Sequence, residues 1–181
     1  MTFEPILQTV EDKENPDYVE EFGPFPGVRN TWLGRGYYFW DRFYEIAEWW
    51  GKTHYHGKYM ICSAASSFGE GEMLDLAGST YDMENFKKSC EALEKKFPYE
   101  HITVSFVIEY LKEKGLFAYK AVRAHSIDCG EGDRLYRLHF RQSQQTNAYL
   151  NLMPAIQLCI YDKSYVKNYR IIYPEDYVQV V

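Results

Sequence analysis

The sequence predicts an α+β domain built on a twisted, mainly antiparallel sheet with few helices. Three observations carry that prediction. The C-terminal half holds short segments rich in β-branched and aromatic residues, "LFAYKAVRAHSI", "RLYRLHF", "AIQLCIYD" and "YRIIYPEDYVQVV", separated by polar or glycine-containing turns. Between Asp82 and Lys114 the period changes, and apolar residues recur at three- and four-residue spacing among charges. The length, 181 residues, favours a single domain with one filled core.

The elements follow in order. Phe3 to Val10 is a short apolar run suited to a strand. Residues 11–29, beginning "EDKENPDYVEEFGPFPG", are acidic and interrupted by Pro16, Pro24 and Pro26, which predicts a loop long enough to cover a ligand. After "LGRGYYF" a helix is expected from Asp41, as N-cap, to about Thr53, with Phe43, Ile46, Ala47 and Trp50 on its apolar stripe. "KYMICSAA" reads as a buried strand, and "FGEGEMLDLAGS" as a turn-rich connection with an apolar knot at Met73, Leu74 and Leu76. Two helices, Asp82–Phe97 and His101–Lys114, form a helical insertion over 82–115, divided by Pro98 and ended by Gly115.

Composition narrows the function classes. A net charge of -6 argues against general affinity for nucleic-acid backbones or anionic membranes, since both reward clustered Lys and Arg. Cys62, Cys90, Cys129 and Cys159 form no CxxC pair, so free buried thiols are expected rather than a zinc site or a disulfide framework. With no basic start followed by an apolar run, and no stretch long enough to span a bilayer, the expected location is the cytoplasm. The 17 tyrosines are an excess that suits a cleft or interface as well as a core, because each pairs an apolar ring with a polar tip.

Several motifs are weak alone. Gly34-Arg35-Gly36 lacks the third glycine of a dinucleotide fingerprint, Phe39 standing in its place, and reads by default as a turn. Tyr37 and Tyr38 point to opposite faces if they lie on a strand, so one of them faces a cleft or water. His54 and His56 have no further ligand at metal spacing; they read as surface loop residues, and no metal is assigned. The basic and amide-rich "RLYRLHFRQSQQTN" fits an exposed strand entering a polar loop slightly better than a phosphate site.

Three pieces taken in order resemble the ADP-ribosyltransferase fold of the diphtheria-toxin and poly(ADP-ribose) polymerase type. "GRGYYF" resembles the family's glycine-x-glycine-x-Tyr-Phe strand, with Tyr38 as its Tyr; Ala47 and Trp49 resemble the small and aromatic residues of the helix that follows. "AIQLCIYD" and "YVKNYRIIY" resemble the final pair of strands, which places Gln157 where the family has its Glu. In the first strand Gln8 and Thr9 stand where His-Gly is the family pattern.

The resemblance implies a split sheet with a helical insertion, and NAD as substrate. It implies that Tyr38 and Trp49 stack on nicotinamide, that Gln8, Thr9 and Gly36 hold the carboxamide or ribose, and that Gln157 orients a ribose hydroxyl. The leading expectation is mono-ADP-ribosyl transfer, with a protein acceptor, or slow NAD hydrolysis. The alternative is a degenerate domain that binds a nucleotide, peptide or protein without chemistry, because Gln157 lacks the negative charge that would stabilise an oxocarbenium-like transition state.

Overall fold

A computed structural model describes residues 1–28, 31–125, 136–140 and 148–178. The architecture is α+β. Among the described residues, nine strands and four α-helices follow the order β1 (Thr2–Glu11), α1 (Pro16–Phe22), β2 (Tyr37–Asp41), α2 (Tyr44–His54), β3 (Tyr59–Ser67), β4 (Met73–Leu76), α3 (Thr80–Lys96), α4 (Val104–Glu113), β5 (Ala121–His125), β6 (Arg137–His139), β7 (Tyr149–Asn151), β8 (Ile156–Ile160) and β9 (Val166–Tyr173). Seven strands form one sheet in the order β4-β5-β8-β2-β1-β3-β9, and β6 with β7 makes a separate two-stranded ribbon. All pairs are antiparallel except β4 with β5.

The main sheet is hydrogen-bonded throughout rather than broken in two. Its join between β1 and β2 is narrow: Ile6 pairs with Asp41 and Leu7 with Trp40. Beyond Leu7 the two strands part, and the site described below lies in that wedge. Both faces of the sheet are covered. Along β3, Ile61 packs with Ile46 and Ala47 of α2, while the neighbouring Met60 and Cys62 face Val19 of α1 and Ile171 of β9. At the other end, Ile108 of α4 packs with Leu74, Val122 and Cys159. Fully buried side chains such as Ile6, Phe39 and Leu158 each stabilise the fold by about 1.5–3 kcal/mol relative to exposure.

Four local expectations are corrected. The acidic segment is not all loop: Pro16 opens α1, where its missing N–H costs nothing, and Val19 anchors the helix to the sheet. Glu20 adds a second tie, accepting the Ile171 backbone N–H at 2.9 Å. Asp41 does not cap α2. It ends β2 and takes Arg123 Nε at 2.9 Å, Arg42 follows with φ of 70°, and the helix begins only after Phe43. The knot at Met73–Leu76 is a strand, β4, held by a partner that starts at Ala121, too far along the chain for local pattern to reveal. In the helical insertion α3 begins earlier than Asp82, capped by Ser79, and α4 begins at Val104, capped by Thr103.

β5, β6 and β8 fall within their expected segments, but the last strand stops at Tyr173, before a 3-10 turn at Glu175–Tyr177, rather than running on through "PEDYVQVV"; the parts of these segments in 126–135, 141–147 and 179–181 lie outside the described residues. Gly115, with φ of 67°, follows α4. Cys62 and Cys159 are free and buried and Cys90 is free and half-buried, whereas Cys129 lies outside the described residues. Among the described residues no helix is long and apolar enough to cross a membrane.

Candidate functional site

A cavity of about 990 Å³ opens where β1 and β2 diverge. Gln8 and Thr9 of β1, Tyr38 and Trp40 of β2, and Gln157 of β8 line it, together with Trp50 and His54 of α2. Tyr18 of α1, the segment Phe25–Val28 and Trp32 close the outer side. Four of the residues singled out from sequence, Gln8, Thr9, Tyr38 and Gln157, are therefore in one cavity. Trp49 and Gly36 are not among its lining residues.

Gln8 is 6% exposed, and its amide is occupied on both sides. Nε2 donates to the carbonyls of Phe25 at 2.8 Å and Tyr38 at 3.3 Å, while Oε1 accepts from Phe25 N–H at 3.0 Å and Tyr169 O–H at 2.9 Å. It bridges the wedge in place of a backbone ladder and pins the 23–28 segment. The expectation that Gln8 holds a carboxamide or ribose meets this physical obstacle: its donors and acceptor are already satisfied. Thr9 is likewise engaged, its Oγ1 donating to Ala47 O at 2.8 Å and fastening α2 to β1.

Tyr38 presents its ring rather than its hydroxyl. The phenol donates to Gly34 O at 2.7 Å and accepts from Leu33 N–H at 2.9 Å, which ties the ring to the Gly34 turn. Burial pushes its pKa well above the ordinary phenol range, so the group is a neutral wall and not a base. Tyr37, on the opposite face, packs with Phe39 and Leu158, as alternation along a strand requires. Gly36 is explained by strand packing. A β-carbon there would stand 2.7 Å from Cys159 Sγ and 2.8 Å from Ile160 O, so only glycine lets β2 approach β8 so closely.

The aromatic wall comes from Trp32 and Trp50. Their rings meet edge-on at 6.2 Å, and Trp32 also meets Tyr38 edge-on at 6.2 Å. His54 belongs to the last turn of α2 rather than to a loop, and its ring stacks on Trp50 at 3.5 Å. Trp49 and Trp50 both pack, partly buried, against the core cluster of Leu7, Trp40 and Ile46, but only Trp50 lines the cavity. A one-residue shift turns a helical side chain by about 100°, so the choice between adjacent tryptophans depends on where the helix starts, which Arg42 delays.

The deciding contact is between Trp32 and Gln157. Trp32 Nε1 donates to Gln157 Oε1 at 2.8 Å, and Gln157 is only 4% exposed. An indole N–H can donate but not accept, so the amide oxygen must face it. That leaves Nε2, with two N–H donors, for the cavity. Asn15, another lining residue, has a buried Oδ1 without a partner among the described residues.

Comparison of the chain with family models, with curated proteins and with solved structures finds no match. The chemistry of the site accordingly rests on its own residues. The interior is aromatic and amide-lined, and its charged members stand at the rim: Glu11 and Lys13 form an exposed pair at 3.0 Å. Trp32 and Trp50 were not singled out from sequence as ligand-facing. Trp32 carried one usable signal, a lone tryptophan two residues before the Gly34 turn.

Proposed function

We propose that the cavity binds a nicotinamide nucleotide of the NAD type and recognises it without transferring ADP-ribose. The observation that carries this reading is the orientation of Gln157 by Trp32, which offers a ligand an N–H donor at the position where the resemblance to ADP-ribosyltransferases implies a Glu whose negative charge would serve glycosidic-bond cleavage. Among the lining residues the one carboxylate is Glu11, exposed and paired with Lys13, so it is no substitute. The aromatic faces of Trp50 and Tyr38 suit a planar ring, and a cationic nicotinamide gains further from the π-systems. Lys13 at the rim is the cation within reach of a phosphate.

The test is a titration of the purified protein with NAD, followed by tryptophan fluorescence, with Trp50→Ala as the control. Saturable quenching that the variant loses is the expected result, with no release of nicotinamide above the spontaneous rate. An unchanged signal together with no heat by calorimetry removes the nucleotide reading. Enzymatic nicotinamide release would instead restore slow NAD hydrolysis or mono-ADP-ribosyl transfer as the activity.

A further inference from the structure

The ribbon of β6 and β7 is amphipathic, and its apolar face is bare. Leu138 pairs with Leu150 across the two strands, and the backbone N–H of Leu152 bonds to Tyr136 O at 3.0 Å. Directly opposed residues share a face, and alternation adds Phe140 to the same side. That face thus consists of Tyr136, Leu138, Phe140, Leu150 and Leu152, whose exposures run from 42% to 69%. The other face carries Arg137, His139, Tyr149 and Asn151, with the Arg137 guanidinium 4.5 Å from the Tyr149 ring centre.

An isolated two-stranded ribbon is marginal in water; independent stability needs a further strand or a packed layer on its apolar face. Five side chains of this size, about half exposed, offer roughly 500 Å² per chain, the size of the largest apolar patch on a typical monomer, which is often a functional one. Two such faces placed together would bury about 1,000 Å², the lower bound for a specific protein interface. The strip has no charge or hydrogen-bonding side chain except the Tyr136 hydroxyl, so nothing in it selects a foreign partner by electrostatic complementarity. A uniformly apolar strip is complementary to itself under a twofold axis, where the same patch serves both subunits.

We infer that the occupant of this face is the same ribbon of a second copy of the chain, the two stacking into a four-stranded sandwich. The base of the ribbon is firmly held, because Met153 and Ala155, which follow β7, are buried in the cluster with Trp40 and Ile46. The dimer contact therefore begins beside a buried anchor, and its residues are not among those that line the cavity.

Sedimentation equilibrium of the full chain tests the inference. The average mass should rise above the 21.4 kDa monomer towards twice that value as concentration increases. Leu138→Asp and, separately, Leu150→Lys should each weaken association by about tenfold or more, since each buries an unpaired charge. His139→Ala, on the opposite face, should leave it unchanged. Circular dichroism of each variant confirms that the fold persists, as substitution of exposed side chains should allow. A single monomeric species at every concentration overturns the inference, and so does a dimer that survives both charged variants.

Discussion

Trp32 and Gln157 are joined by a 2.8 Å hydrogen bond from indole nitrogen to amide oxygen, across 125 positions of sequence. The bond fixes which end of the amide faces the cavity, and it leads directly to a substitution. In Gln157→Glu a carboxylate oxygen accepts the same indole N–H, so the geometry is kept while a negative charge enters the cavity. Nicotinamide release from NAD should then rise by about tenfold or more over the parent protein. The increase should follow ionisation of the new carboxyl, growing with pH until the group is fully charged. A variant that binds NAD but releases no nicotinamide would show that charge alone is insufficient.

Trp32→Phe keeps the ring and removes the donor. It leaves Gln157 Oε1 buried without its partner, which costs about 1–3 kcal/mol. Urea denaturation should show the lower midpoint, and NAD affinity should fall with it because the amide is no longer held in one orientation.

Gln8→Ala tests a different role. Gln8 ties Phe25, Tyr38 and Tyr169 together, and without it the Phe25 N–H and the Tyr169 hydroxyl lose their shared acceptor. Stability should fall by about 2–4 kcal/mol, and limited proteolysis should begin within 23–28. If NAD affinity disappears while stability and protease resistance hold, Gln8 is a ligand-binding residue after all.

Arg123 lies between two carboxylates, 2.9 Å from Asp41 and 3.1 Å from Asp75, with all three side chains no more than 17% exposed. Arg123→Ala removes the cation that both acids share, leaving Asp75 the backbone N–H groups of Ala77 and Gly78, and should cost about 3–5 kcal/mol. The triple variant with Asp41→Asn and Asp75→Asn should lose less than Arg123→Ala alone, a non-additivity that thermal melts can measure.

The alkaline limit of stability follows from buried acids. Burial pushes the Cys62 and Cys159 thiols up to about 12 and raises the Tyr38, Tyr161 and Tyr169 phenols as well. The native state therefore keeps protons that the unfolded chain releases at about pH 8.5–10. Their contribution to stability is complete below that range and is lost as pH climbs towards the folded values. Urea midpoints measured from neutral pH upward should fall once the pH passes about 9.

The α+β class and the mainly antiparallel sheet were legible because β-branched segments and three- and four-residue spacing are local signals. The strands around Phe3, Met60, Val122, Leu158 and Ile171, and both helices of the insertion, announce themselves in this way. Met73–Leu76 did not, since it is a strand only by virtue of β5. Pro16 suits a chain break and the first residue of a helix equally well, and the contact that decides between them is Val19 against Ile171. In the candidate site, Gln8, Tyr38 and Gln157 were marked by motif position. Trp32 and Trp50 needed the register of α2 and the path of the chain before Gly34, neither of which periodicity encodes.

The narrow join at Ile6–Asp41 and Leu7–Trp40 divides the main sheet into two leaves, β1-β3-β9 on one side and β4-β5-β8-β2 on the other. The chain passes between them repeatedly, from β1 to β2, back to β3, out to β4 and home from β8 to β9. Covalent lacing of this kind ties the leaves together across the join, like a book whose spine is sewn at two points but whose pages are threaded together. The cavity lies along that spine, so any change in the angle between the leaves would alter its width first. Amide exchange at Leu7 and Trp40, in the stitches themselves, is the measurement that would detect such an opening.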